Sequence, residues 1–189
     1  TGDIDNDGDF DVIHSFGARS FSIWNEAGAL VWDSGDQIEQ MMNTISPANF
    51  NCSNTNNTKK NRSDDKGPEP EAVTVAQIGD SLFAFVGLER IGGVMIYNIT
   101  NPNAPTFSSY INTRNFAQTP SLNNGGDLGP EGIIFIPKNE SPNGKDLLVL
   151  SNEISGTISI YQVGRRMTLQ ILHASDFEAS VEAVQDAPR

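Results

Sequence analysis

The segment Asp3-Ile4-Asp5-Asn6-Asp7-Gly8-Asp9-Phe10-Asp11 alternates carboxylates with other side chains around a single glycine. Calcium is a hard cation that takes about six to eight oxygen ligands, and carboxylates alternating in a tight loop can converge on one. Gly8 allows the sharp turn that lets Asp3, Asp5 and Asp7 face inward together. The backbone carbonyl of Asp9 and the carboxylate of Asp11 would continue the shell. Where a helix–loop–helix calcium hand ends on a bidentate glutamate, this chain has His14, and the flanks read as strands. The pattern therefore fits a compact loop between strands. A solvated acidic turn is the competing reading, and it leaves like charges crowded without a counter-ion.

A second set of acids recurs along the chain. Glu71 and Glu131 stand at expected strand starts, Glu89 and Glu153 at expected strand ends. In a propeller the innermost strands face a central channel, so equivalent carboxylates from successive blades could ring a cation there. A Pro-Glu-Gly turn whose carboxylate caps backbone N–H groups of a neighbouring loop is the structural alternative, and it is the one favoured. Ahead of the first of these acids, Asn61-Arg62-Ser63-Asp64-Asp65-Lys66 carries balanced charge and suits a salt-bridged loop at the channel mouth.

The third set is Leu169-Gln170-Ile171-Leu172-His173-Ala174-Ser175-Asp176-Phe177-Glu178. A hydrophobic strand delivering an aspartate at its end is how two-metal phosphoesterases present a first ligand, with the metals activating water for in-line attack. Other chemistries are not encoded: there is no Gly-x-Ser-x-Gly elbow, no phosphate-cradling glycine loop and no His-Glu-x-x-His. With one cysteine and two histidines, neither an internal disulfide nor a self-contained zinc site is expected.

The elements that must position these residues form a repeat. Gly67-Pro68-Glu69-Pro70-Glu71 opens a segment that runs to Glu89, Gly92 and Ile96-Tyr97. Gly129-Pro130-Glu131-Gly132 opens another that runs to Glu153, Gly156 and Ile160-Tyr161. The spacing from glutamate to tyrosine is the same in both, and the one length difference falls at the turn Ser141-Pro142-Asn143-Gly144. Self-similarity in short strands points to β-propeller blades. In the central copy the strands are expected at 71–78, 82–88, 93–99 and 106–111, separated by turn residues. A diverged upstream copy has strands at 10–16, 21–24 and 29–32, followed by a modest helix or loop at 36–42. The polar stretch 43–66 reads as an exposed excursion. It contains Cys52 and the sequons Asn51-Cys52-Ser53 and Asn56-Asn57-Thr58. The third copy lacks its outer strand, and the change of character after Gly164 marks a boundary. The expected fold is all-β: an incomplete β-propeller of about two and a half four-stranded blades over 1–164, then one strand of a following domain in 165–189.

The bulk numbers fit a soluble protein that handles cations, or one living in salty or extracellular fluid, and they argue against some partners. The formal net charge of −12 over 189 residues argues against nucleic acid and anionic membrane surfaces. No apolar run is long enough to span a bilayer. The chain starts at Thr1, inside a motif, and reads as a piece of something longer, so its remaining parent chain is an expected partner.

Three motifs together resemble a family. Gly17-Ala18-Arg19-Ser20-Phe21-Ser22-Ile23-Trp24, Asn61 through Glu71, and Gly87-Leu88-Glu89-Arg90-Ile91-Gly92-Gly93-Val94 are similar to the C-terminal half of large secreted propeller proteins of the choice-of-anchor or alkaline-phosphatase-like kind. The resemblance covers 1–163. In some members the propeller is followed by a metallophosphoesterase domain of the 5′-nucleotidase type, and 168–189 look like its opening. Asp176 would then be the first metal ligand of a divalent transition-metal pair. That family has Asp-x-His there, whereas this chain has Asp176-Phe177-Glu178, which leaves the second ligand open. The resemblance implies a secreted, periplasmic or cell-surface protein: a calcium-binding propeller segment of a metal-dependent phosphomonoesterase acting on phosphate esters, the segment itself being inactive. The alternatives are a non-catalytic ligand-binding or adhesion propeller, and a phytase-like calcium propeller.

Overall fold

In the computed structural model the described residues are 2–12, 17, 19–120 and 124–164, together with the backbone of 169–176. Strands β1 (Ser22–Trp24) and β2 (Leu30–Asp33) pair as a hairpin, and helix α1 (Gln37–Ile45) follows. Strands β3 (Pro70–Ile78), β4 (Ser81–Leu88), β5 (Val94–Asn98) and β6 (Thr106–Ile111) form an antiparallel sheet in chain order. Strands β7 (Pro130–Ile136), β8 (Leu147–Asn152), β9 (Thr157–Val163) and β10 (Leu169–Asp176) form a second such sheet. Among the described residues the chain is thus all-β with three small sheets and one short helix, and these sheets do not close into a ring. The four strands read in the central copy match β3 to β6 to within one residue at each end.

Burial explains the pattern of each strand. β3 alternates, with Glu71, Val73 and Val75 exposed and Ala72 and Ala76 buried. β4 and β5 do not alternate, because the middle sheet is covered on both faces. Ala84, Val86, Met95 and Tyr97 pack against Ile38 and Met42 of α1 and against Phe21, Ile23 and Trp32 of the hairpin. The opposite face, Phe83, Phe85, Val94 and Ile96, meets Leu148, Leu150, Tyr161 and Val163 of the third sheet. Fully burying a side chain of this size contributes about 1.5–3 kcal/mol, so the two interlayers hold the stack together. The sheets approach each other along their first strands, β3 against β7.

Three expectations are corrected. Residues 10–12 are not in a strand, and 13–16 lie outside the described residues. The outer strand expected to be missing from the third copy is present. Leu169–Asp176, expected to open a following domain, pairs antiparallel with β9 from Leu169↔Val163 to Asp176↔Thr157. An apolar strand beside an unpaired edge satisfies that edge's N–H and C=O groups, which outweighs the change of sequence character at Gly164. The 43–66 excursion is not wholly exposed either: Asn51, Cys52, Ser53 and Asn54 are buried. Arg114 draws it inward, donating to the carbonyls of Ser53 (2.7 Å) and Asn56 (3.1 Å) and to Asn57 Oδ1 (2.8 Å).

Candidate functional site

The two complete sheets present their acids on one backbone plan. In β3–β4 a register shift between Pro70 and Ala72 bulges the strand at Glu71, and in β7–β8 the same shift falls at Glu131. Glu89 N–H donates to the carbonyl of Glu69 (2.9 Å), as Glu153 N–H does to that of Gly129 (2.8 Å). Gly92 N–H closes on Leu88 (2.8 Å) and Gly156 N–H on Asn152 (2.9 Å). Glu71 with Glu89, and Glu131 with Glu153, are therefore equivalent pairs at one rim. Bulges re-aim side chains in this way beside functional sites.

The slot before each first strand separates the copies. Gly129 adopts φ +70°, where an added Cβ would meet Ile154 Cγ1 at 2.7 Å. In the second sheet that left-handed slot holds Glu69 (φ +49°), and Arg90 stands where Ile154 stands. Such a backbone costs a non-glycine residue about 1 kcal/mol or more, offset here by ion pairing. The Glu69 carboxylate receives Arg62 Nη2 at 2.6 Å, Arg90 Nε at 2.7 Å and Lys66 Nζ at 3.5 Å. From sequence, Glu69 stands only in the opening of the repeat, Gly67-Pro68-Glu69-Pro70-Glu71, with no role assigned to it. The signal available was a glutamate aligned with a repeat-copy glycine.

Glu69, Glu71 and Glu89 each offer an oxygen within 4.8 Å of the others. Glu69 and Glu89 are buried, at 5% and 6% exposure, so the charges cannot all be solvated. Burial pushes Glu89 up, hydrogen bonds shared with Glu71 and Glu69 push it further, and Arg90 opposes; the carboxyl titrates at about 8. Burial also acts to raise Glu69, but the hydrogen bond from Glu89 and the two guanidiniums prevail and hold it at about 2. Glu89 thus keeps a proton that it shares with an ionised Glu69. Its carboxyl also receives Arg90 Nη1 (2.7 Å) and Asn54 Nδ2 (3.1 Å), which ties the excursion to the strand ends. The Asn61–Lys66 run does form the salt-bridged loop its charge pattern suggests, with Arg62–Asp65 at 2.6 Å.

In the third sheet Glu131 and Glu153 are exposed beside an open cleft of about 510 Å³, with buried Asn152 and Thr157 at its floor. No basic residue lines that cleft.

The acidic loop at the start of the chain is closed by Val12 N–H donating to Gly2 carbonyl at 3.0 Å. Gly2 is obligatory there, since an added Cβ would lie 1.8 Å from Val12 O. Within the loop Asp3, Asp5 and Asp11 converge, one oxygen from each lying within 4.8 Å of the others. Asp11 Oδ2 accepts from Ile4 N–H (2.9 Å), and Asp3 Oδ2 from Gly8 N–H (3.2 Å). Asp3 Oδ1 is buried and has no hydrogen-bond partner. Asp7 and Asp9 stand outside the converging trio; Asp7 Oδ1 instead accepts from Asp9 N–H (3.1 Å). Three hard oxygens and one orphaned oxygen fit a calcium ion better than a softer metal. His14 lies outside the described residues, as do Phe177 and Glu178; the backbone of Asp176 is the last pair of β10, and its side chain is also outside them.

Stacked four-stranded sheets carrying an acidic rim define a repeat-sheet module. A family model described as the choice-of-anchor I domain matches residues 1–102, and the chain belongs to that family. Membership points to a secreted or cell-surface protein. Gigasin-3a of Magallana gigas is 33% identical over 169 residues, covering 83% of this chain and 60% of its own length. A mesenchyme-specific cell surface glycoprotein of Strongylocentrotus purpuratus is 28% identical over 115 residues, 53% of this chain and 15% of that protein. This chain therefore spans less than two thirds of either relative. No solved structure matches it. Among the described residues no helix is long and apolar enough to cross a membrane.

Proposed function

We propose that this chain is a calcium-stapled, propeller-type module of a secreted or cell-surface protein, presenting a binding rim rather than a catalytic centre. The observation that carries the reading is the shared plan of the two complete sheets. Their first strands lie side by side and their matching turns bring Glu71, Glu89, Glu131 and Glu153 to one rim. Sheets fanning from adjacent first strands are how blades are arranged about a channel, and the remaining blades would come from the rest of the parent chain. Calcium is assigned to Asp3, Asp5 and Asp11, whose orphaned oxygen asks for a cation. Glu69 and Glu89 are assigned a structural role beneath that rim, because Arg62, Lys66 and Arg90 already supply their counter-charges.

The phosphatase reading is weakened by β10. The strand that suggested a catalytic opening completes the third sheet, and neither relative's name carries an enzyme activity. The sea urchin relative is by name a cell surface glycoprotein, which agrees with an adhesive or matrix role. The test is hydrolysis of p-nitrophenyl phosphate by the protein as recovered whole from the cells that make it, before and after EDTA. No hydrolysis in either condition is expected, and metal-dependent turnover would overturn the reading in favour of the phosphatase.

A further inference from the structure

The sequence offers N-linked glycosylation sequons at Asn51, Asn56, Asn61, Asn98 and Asn139, each followed two residues later by serine or threonine. The fold sorts them. Asn51 is 1% exposed, and its Nδ2 is committed to Glu39 Oε1 and to Ser63 Oγ (3.1 Å). A sugar on that nitrogen would break both bonds and force the excursion off the sheet. Asn56 is the opposite case. Its Oδ1 accepts the N–H of Thr58 at 3.0 Å, a side-chain turn, and its Nδ2 makes a long 3.4 Å bond to Asn61 Oδ1 on the exposed side of the loop. The loop around it is held firmly. Asn57 Nδ2 donates to the carbonyls of Phe116 (3.0 Å) and Gln118 (2.7 Å), and Arg114 takes Asn57 Oδ1 (2.8 Å). Beside it opens a hollow of about 270 Å³, walled by Asn56, Asn57, Thr58, Thr119 and Pro120. Hydroxyls on two sides and a flat pyrrolidine ring suit a pyranose, whose polar edge and apolar face need one of each.

The structure assigns Asn56 as a site of N-linked glycosylation, with the first N-acetylhexosamine seated in the Thr58–Thr119–Pro120 hollow and Asn51 left unmodified. This rests on the proposal that the chain is exported. The donor is a lipid-pyrophosphate-linked oligosaccharide. A bond forms between Asn56 Nδ2 and the anomeric carbon, the bond from that carbon to the pyrophosphate oxygen breaks, and the pyrophosphate lipid leaves with the electron pair. Nδ2 loses one proton, and nothing is oxidised or reduced. Asn98 shares the side-chain turn, through Thr100 N–H at 2.9 Å, but it sits within the β5–β6 ladder opposite Thr106.

The test uses the protein recovered from the cells that make it, as secreted or surface material and as intracellular material. Peptide:N-glycosidase in heavy-oxygen water converts each glycosylated Asn to a labelled Asp, and fragment spectra separate Asn51 from Asn56. Label at Asn56 and none at Asn51 is the expected result, with Asn56→Gln and Thr58→Ala each abolishing it. Extracellular protein with unlabelled Asn56 would overturn the glycan while leaving the surface reading intact. Folded protein labelled at Asn51 would overturn the geometric sorting. Protein confined to the cell interior and unlabelled would overturn both.

Discussion

At the scale of single residues, the rim is governed by where protons sit. A carboxyl raised in the folded state binds its proton more tightly there, so unfolding between the ordinary value of 4.5 and about 8 releases the Glu89 proton. Its stabilisation is complete below 4.5 and drains away as pH rises through about 8. Glu69 has the opposite sign: its contribution is complete above 4.5 and fades as pH falls towards about 2. The expected outcome is a melting temperature that falls across that upper window in the native chain, by several degrees. The Glu89→Gln variant, whose amide cannot ionise, should show a flatter profile when Tm is followed by circular dichroism. An equally steep fall in the variant would place the titration elsewhere. The residue scale is also where sequence reading was least complete. That Asp3, Asp5 and Asp11 come together in one loop follows from the alternation of carboxylates around Gly8. Which of the five carboxylates converge was not legible, since alternation alone does not set how each side chain is turned within the loop. Glu69 was missed because its left-handed backbone and its neighbours Arg62 and Arg90 are facts of three dimensions.

At the scale of elements, the excursion 43–66 is held by arginines from outside it, Arg19 at Ser63 and Asp65 and Arg114 at Ser53, Asn56 and Asn57. Arg114 is 6% exposed, donates to the carbonyls of Arg90 (2.8 Å) and Ser53 (2.7 Å), and lies 4.8 Å from the ring centroid of Phe116. Burial holds its pKa below the usual arginine value, though no partner carboxylate is bonded to it. Arg114→Ala would leave several buried carbonyls unsatisfied and cost about 3 kcal/mol in chemical denaturation. It should also make the 54–62 segment newly sensitive to limited proteolysis. Composition hid this role: a stretch rich in asparagine and serine reads as solvated, and it takes side chains distant in sequence to make it part of the core. The strands were far more legible. Turn residues bracket β3 to β6, and those strands emerged almost at their true ends.

At the scale of the whole molecule, stability resides in the stacking of sheets. Phe85 is fully buried between the second and third sheets, with its ring 6.1 Å from that of Phe135. Phe85→Ala should cost about 3–5 kcal/mol by denaturant unfolding, more than any single change at the rim. The outer strand gives a second prediction. A chain ending at Gly164 would leave the β9 edge unpaired, and an open edge of this kind invites pairing with another chain. Light scattering should show association, and Tm should fall. If 165–189 folded independently of the sheet, the shortened chain would melt and sediment as before. The repeat was visible in the sequence because Gly-Pro-Glu and the glutamate-to-tyrosine spacing occur twice. The ownership of 169–176 was not, since a fresh apolar run looks alike whether it opens a domain or closes a sheet.

The central claim is that the acidic loop at the start of the chain is a calcium staple on an extracellular module, and calorimetric titration of the metal-free chain tests it most directly. The account predicts one calcium site in the range of extracellular modules, a Kd of about 10⁻⁴–10⁻³ M. Saturation should raise Tm, and Asp3→Asn or Asp5→Asn should abolish both effects, while Glu71→Gln leaves them unchanged. Absence of binding heat and of any Tm shift, or binding lost with Glu71→Gln and retained with Asp3→Asn, would contradict it.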